Sequence, residues 1–250
     1  IAEGAGAVAG GIVLTYFLLT WRPPFVIAGL IGIGAILMAI QLARSKKPLV
    51  IAMLIILSFW IATGMLGYWS KIERYTLKRR WALINPGIEL LESADSVYQN
   101  IAVGKYGNQI SIYSNGNLMV TFPDRYRSAM TAHLIMNQHK NPADILIIGG
   151  ITGDLLEEML LYDPHRIDCV DPDRKLLRIM IEVQPPELRK IFKDPRVKLI
   201  MDDGRRYIRT TEAHYDIIFV NLPDPTNAML NRFYTREFYV EARKKLAAGG

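Results

Sequence analysis

The residues best suited to chemistry in this chain are a glycine turn and two carboxylates, each at the end of an apolar strand. The run Asp144-Ile-Leu-Ile-Ile-Gly-Gly-Ile-Thr-Gly153 reads as a buried strand that passes into a glycine turn and then a helix. Backbone at such a turn approaches a ligand closely, and the helix N-terminus favours polar or anionic groups. The next strand, Ile167-Asp-Cys-Val-Asp171, ends in a carboxylate placed to accept both hydroxyls of a ribose. Asp203 ends the third strand, where it could accept from an exocyclic adenine amine. Each such contact would contribute about 1.5–3 kcal/mol if the carboxylate is ionised. A fourth strand, Tyr215-Asp-Ile-Ile-Phe-Val-Asn221, runs into Asp224-Pro225. Gly149, Gly150, Gly153, Asp171 and Asp203 are therefore the candidate nucleoside-binding residues.

Blander roles exist for the same residues. Asp171 and Asp203 would also serve as helix N-caps or solvated strand ends. Asp224 before Pro225 suits a turn, and Asp154, Glu157 and Glu158 suit the dipole of a first helical turn. His133, His139, His165 and His214 share no metal-ligand spacing, and Cys169 is the sole cysteine. A disulfide within the chain and a multi-cysteine metal site are thus excluded, and no metal is expected.

The elements around these residues alternate. Strands near 166–171, 197–201 and 215–220 are separated by helices near 153–162, 173–182, 203–210 and 235–246. Such alternation implies βαβ crossovers and a mostly parallel sheet, so ligands would bind beyond its carboxyl edge. Residues 88–122 differ: Tyr106-Gly-Asn-Gln109 and Ser114-Asn-Gly-Asn117 mark tight turns between β-rich runs, predicting a small antiparallel module. A helix around 124–138 leads into the sheet, and residues 123–250 form the α/β domain, incomplete at its C-terminal end.

The first part of the 250-residue chain has another character. Residues 5–20, 25–43 and 48–69 are long apolar runs without an internal charge, each near the length a tilted membrane helix needs. Trp21, Trp60, Tyr68 and Trp69 fall mostly toward their ends, as aromatic belts do. Arg44, Lys46 and Lys47 lie on one side, Arg22 and the basic residues after the third run on the other. The larger second group predicts a cytoplasmic C-terminal domain on an integral membrane protein, in a bacterial inner membrane, with 71–87 as a basic linker. A chain beginning at Ile1 and closing on Gly249-Gly250 is read as a piece of a longer protein.

The order and spacing of several motifs resemble the spermidine synthase family, the aminopropyltransferases with a methyltransferase-like, Rossmann-type fold. They are Ser96-Val-Tyr-Gln99, Ile147-Ile-Gly-Gly150, Val170-Asp-Pro-Asp173, Asp194-Pro-Arg-Val197, Asp203-Gly-Arg205, Asp224-Pro225 and Phe233-Tyr-Thr-Arg-Glu-Phe-Tyr239. The resemblance covers about residues 88–250 and implies decarboxylated S-adenosylmethionine as the ligand, with S-adenosylmethionine as the alternative. It places Gln99, Asp171 and Asp203 at nucleoside-contacting positions, and Asn221 and Asp224 at the catalytic ones.

The departures concern reactivity. Gly149-Gly150-Ile151-Thr152-Gly153-Asp154 stands where the family has Gly-Gly-Gly-Asp-Gly-Gly, so Ile151 is expected to crowd the turn and Thr152 to remove a carboxylate. Arg127-Ser128-Ala129 replaces a Tyr-His-Glu of the amine site, and Asn221 replaces the general base. Losing a base costs about 10²–10⁴-fold in rate. The leading expectation is a membrane-anchored, catalytically degenerate subunit of a membrane assembly or homo-oligomer, holding a nucleoside and no nucleic acid. The alternative is an active aminopropyl- or methyltransferase at the cytoplasmic face. A transport role is weakened by the lack of charge within the apolar runs.

Overall fold

The computed structural model describes residues 2–13, 24–43, 45–225 and 227–250. It divides into two compact units, Ile1–Gly87 and Ile88–Gly250.

The first unit is helical: α1 (Ala2–Ile12), α2 (Pro24–Leu42), α3 (Lys47–Met65) and α4 (Tyr68–Ile84). Helices α2 and α3 are long and apolar enough to cross a bilayer, by length and composition. Their large side chains, Ile31, Met38, Ile55 and Phe59 among them, face outward. They pair through small residues. A Cβ at Gly32 would lie 3.2 Å from Trp60 Nε1, and the same indole N–H donates to Gly29 O at 3.0 Å. Gly29 and Gly64 leave room for the ring of Trp69, whose Nε1 donates to Thr63 Oγ1 at 3.2 Å.

Two boundaries differ from the expectation. The third apolar run was expected to continue to 69, but the helix stops at Met65 because Gly67 takes a left-handed φ of 73°, which a residue with a Cβ adopts at a cost. Tyr68 and Trp69 therefore open α4, and most of the expected basic linker is helix, built from the good helix formers Lys, Arg, Leu and Ala. Residues 14–20 of the first run, together with Trp21, Arg22 and Arg44, lie outside the described residues.

The second unit opens with a four-stranded antiparallel meander, β1 (Glu89–Asp95), β2 (Asn100–Tyr106), β3 (Gln109–Ser114) and β4 (Asn117–Phe122). The β3–β4 turn has positive φ at both Asn115 (49°) and Gly116 (84°). That is the backbone a two-residue hairpin of the I′ kind demands, and Asn-Gly supplies it cheaply.

After α5 (Arg125–Met136) come β5 (Asp144–Ile148), α6 (Gly153–Leu160), β6 (Arg166–Val170), α7 (Arg174–Val183), α8 (Pro186–Ile191) and β7 (Val197–Ile200). Then follow α9 (Gly204–Thr210), β8 (Ile217–Val220), α10 (Ala228–Asn231) and α11 (Arg236–Arg243). The second sheet is parallel, in the order β7-β6-β5-β8. The chain moves outward from β5 to β6 and β7, then returns to place β8 on the other side of β5. That reversal opens a crevice at the carboxyl ends.

The sheet is buried on both faces, which accounts for its nearly continuous apolar strands. One face packs Ile145, Ile147, Ile167 and Cys169 against Met136, Ile151, Leu156 and Met159; the other packs Leu146, Ile148 and Val170 against Ile208, Phe233 and Phe238. A third cluster joins the meander to α7 through Ile101, Val103, Ile112 and Phe122 against Leu176, Ile179 and Met180.

Candidate nucleoside site

The parting of β5 and β8 fixes the centre of the site. Gly149 and Gly150 have φ of 73° and 56°, and a Cβ on either would collide with Leu222 or Asn221 in the segment leaving β8. Both glycines are required by backbone conformation and by this approach of chain to chain. The Asn221 Nδ2 group donates to Gly150 O at 2.7 Å. Its carboxamide closes the turn and cannot take a proton from an ammonium at neutral pH.

Asp171 continues β6 beyond Val170, whose carbonyl accepts from Gly149 N at 3.0 Å, so this carboxylate lies on the strand end beside the glycine turn. It is 7% exposed, and one oxygen accepts from Asp173 N at 2.8 Å. Burial pushes its carboxyl up to about 6, against the lowering effect of the Asp173 N–H and with a further raising contribution from the Asp173 charge.

Asp173 is the residue that sequence reasoning left without a role. It caps α7 by accepting from Lys175 N at 3.1 Å and Leu176 N at 3.0 Å, while Ser96 Oγ and Gln99 Nε2 donate to its other oxygen at 2.6 and 3.1 Å. Ser114 Oγ donates to Gln99 Oε1. Gln99, expected to touch a nucleoside, thus spends both ends of its amide inside the protein. The signal was present, since Ser96, Gln99 and Asp173 all fall in motifs that carry the resemblance.

Asp203 follows β7. One oxygen caps α9, accepting from Arg205 N at 3.1 Å and Arg206 N at 3.0 Å, and the other is paired with the Arg232 guanidinium. The preceding Asp202 accepts from Arg206 Nε at 2.6 Å. Asp203 keeps about 29% of its side chain exposed, well above the buried Asp171.

Two expectations about the turn are corrected, and the residue expected to remove a carboxylate gains a role. Gly153 does not offer its N–H to a ligand: that group donates to the buried Gln184 Oε1 at 2.8 Å, and a Cβ there would lie 2.9 Å from Leu188 O. Ile151 does not crowd the turn, because its side chain is fully buried in the core beside Met136, Leu155 and Leu156. Thr152, in place of a carboxylate, caps α6 by accepting from Leu155 N at 3.3 Å.

Asp224 is exposed on the loop after β8. Tyr234 holds that loop, its hydroxyl 2.8 Å from Leu222 O and 2.9 Å from Pro223 O; its own pKa is raised by burial and then by the Asp224 charge. Arg127, Ser128 and Ala129 lie in the first turns of α5, which Asp124 caps. Among the described residues no cluster of His, Cys, Asp and Glu has the makings of a metal site.

Across the carboxyl edge of the sheet the order is therefore Asp203, Asp171, the glycine turn, then Asn221 and Asp224. Acids on one side suit hydroxyls and amines, and the exposed Asp224 on the other suits a cation. The fold is that of a Rossmann-type α/β protein, and this row of groups is its candidate ligand edge.

Residues 124–250 match the spermine/spermidine synthase domain, and the chain belongs to that family. A polyamine aminopropyltransferase of Corynebacterium efficiens is 29% identical over 258 residues, 100% of this chain and 49% of the relative. One of Korarchaeum cryptofilum is 32% identical over 161 residues, 64% of this chain and 49% of that one. Polyamine aminopropyltransferase 2 of Aquifex aeolicus is 29% identical, covering 98% of this chain and 50% of its own length. The chain spans about half the length of these relatives, and the Corynebacterium and Aquifex alignments run through the helical unit too. A crystal structure of spermidine synthase in complex with the transition state analogue AdoDATO matches with TM-score 0.56 at 27% identity, over 63% of this chain and 54% of that one. Spermidine synthase from Thermotoga maritima gives 0.53 at 25% identity, over 63% and 52%.

Proposed function

We propose that this chain is the nucleoside-binding part of a polyamine aminopropyltransferase, with decarboxylated S-adenosylmethionine as donor and a small diamine such as putrescine as acceptor. The acceptor's neutral amine attacks the methylene carbon next to the sulfonium. The new C–N bond forms as the C–S bond breaks, its electron pair stays on sulfur, and methylthioadenosine leaves. The amine then sheds one proton. Asp171 accepts from the ribose hydroxyls, and the Gly149-Gly150 backbone lets the nucleoside approach. Asp203, already engaged by α9 and Arg232, makes a weaker contact to the adenine amine. Asp224 attracts the acceptor's ammonium and receives the proton through solvent.

The observation that carries this reading is Asp171. It is a buried carboxylate at the strand end beside the glycine turn, and its only hydrogen-bond donor among the described residues is the Asp173 N–H. A ligand bearing two hydroxyls would supply what the protein withholds. The family match and the named relatives support the class of reaction.

A second reading, binding without transfer, is favoured by one observation: Asn221 donates to Gly150 O where the family's base would stand. Helices α2 and α3 would anchor either version in a bilayer, with the α/β unit on the cytoplasmic side and room for further membrane subunits or a second copy. Titration calorimetry with methylthioadenosine and with decarboxylated S-adenosylmethionine, alongside a spermidine-formation assay, separates the readings. Binding that weakens about tenfold or more in Asp171→Ala is expected, together with spermidine formation from putrescine. Intact binding with no spermidine at saturating substrates selects the second reading. Equal affinity in native and Asp171→Ala protein sinks the ribose assignment, and tighter binding of S-adenosylmethionine would make a methyl donor the better choice.

A further inference from the structure

Helix α4 carries Lys71, Arg74, Lys78, Arg79 and Arg80 against a single acid, Glu73. The spacing of Lys71, Tyr75, Lys78 and Ala82 puts them on one helical face, and all four are exposed. Arg74 and Arg79 flank that face and are exposed as well, while the buried Trp81 lies beside Arg74, about a quarter turn from the centre of the face.

The exposed face is not a plain solvated one. Lys71 Nζ sits 5.1 Å from the centre of the Tyr68 ring, and the Arg79 guanidinium lies 5.5 Å from that of Tyr75 while its Nε donates to the Tyr75 hydroxyl at 3.1 Å. Ile72 and Leu83 extend the face as exposed apolar side chains. Cations interleaved with tyrosines and aliphatics are the composition of a helix lying in the polar boundary of a bilayer. A helix built only to be soluble has no use for outward Tyr68, Ile72, Tyr75 and Leu83.

The position in the chain agrees. Within this unit α4 starts immediately after Gly67, at the end of α3, and Trp69 in its first turn fills the space left by Gly29 and Gly64. The tyrosine–lysine face thus begins where the apolar hairpin of α2 and α3 ends, which is headgroup level if that hairpin is embedded.

We infer that α4 is an interfacial helix whose face of Lys71, Tyr75, Lys78 and Arg79 binds anionic phospholipid headgroups, holding the helix along the bilayer surface. Basic residues near a membrane surface are attracted to anionic lipid, and this attraction decays within a Debye length. The inference rests on the reading of α2 and α3 as membrane-embedded.

The test places a fluorophore on Ala82→Cys, at the centre of the face, in the full chain. Cys169 stays unlabelled because it is fully buried and burial pushes its thiol pKa well up. The protein is reconstituted into vesicles of phosphatidylcholine, alone or mixed with phosphatidylglycerol, and quenching by the neutral solute acrylamide is measured. Anionic lipid is expected to lower the quenching constant at least about threefold, and high salt to reverse most of that change. The variant Lys71→Gln/Lys78→Gln/Arg79→Gln is expected to show no lipid dependence.

Equal quenching in the two lipids, or a triple variant that still responds, overturns the inference while leaving the membrane anchor intact. A response to a DNA or RNA oligonucleotide without one to anionic lipid overturns it in favour of a nucleic-acid surface. Protein that stays out of both vesicle types overturns the anchor and this inference together.

Discussion

Asp171 and Asp203 occupy equivalent places, each just past the carboxyl end of a strand in one parallel sheet, yet the structure treats them oppositely. Asp171 is buried, receives one backbone N–H, and has its carboxyl pushed up to about 6. Asp203 is more exposed, receives two backbone N–H groups and is paired with Arg232. One acid is held ready at a cost to the fold; the other works for the fold. Residue type at a strand end therefore places a carboxylate but does not say whether a ligand will find it free.

The strongest test of this contrast is the pH dependence of stability. Asp171 has its folded pKa raised from the ordinary 3.8 to about 6. Its favourable contribution is complete below 3.8, is lost as pH rises through about 6, and is absent above that. Asp171→Asn should consequently stabilise the ligand-free protein above pH 6, by up to about 3 kcal/mol, and much less near pH 4. Chemical denaturation at the two pH values reads this directly, and a stability change that ignores pH would break the contrast. Nucleoside affinity should correspondingly weaken as pH falls through about 6, because the carboxylate must be ionised to accept two hydroxyls.

Asp203→Ala should do the reverse and destabilise the protein by about 2 kcal/mol, through the lost α9 cap and the unpaired Arg232. Its effect on nucleoside affinity should be smaller than that of Asp171→Ala. A larger one would reverse the assigned roles.

The smallest effect sharpens the other side of the crevice. Asn221→Asp removes the donor to Gly150 O and sets a carboxylate against that carbonyl, which should cost about 1 kcal/mol and lower Tm by a few degrees. It should not raise spermidine formation, since the new carboxylate would be driven away from the turn. A gain in turnover would identify position 221 as the missing base.

Much of the fold was legible because its signals are local. The alternation of apolar runs with helical stretches gives the parallel sheet, and Asn115-Gly116 gives the hairpin, through backbone preferences confined to a few residues. The motif order from Ser96 to Tyr239 likewise identified the family. The site was less legible because partners distant in sequence decide it. Gly153 lies in a glycine turn, but its N–H belongs to Gln184; Ile151 sits among glycines, but its side chain enters the core. The end of the third apolar run was misjudged for another reason. Gly67 alone breaks a stretch that hydropathy reads as continuous.

Asp173 has a consequence for where this protein can be cut. The family match begins at residue 124, after the meander. A fragment starting there would strip Asp173 of Ser96 and Gln99, two of its four hydrogen-bond donors, and would open Leu176, Ile179 and Met180 to water. The start of the matched domain is thus not a border of autonomous folding: the strands before it cover α7, and expression trials of the second unit should begin at Ile88.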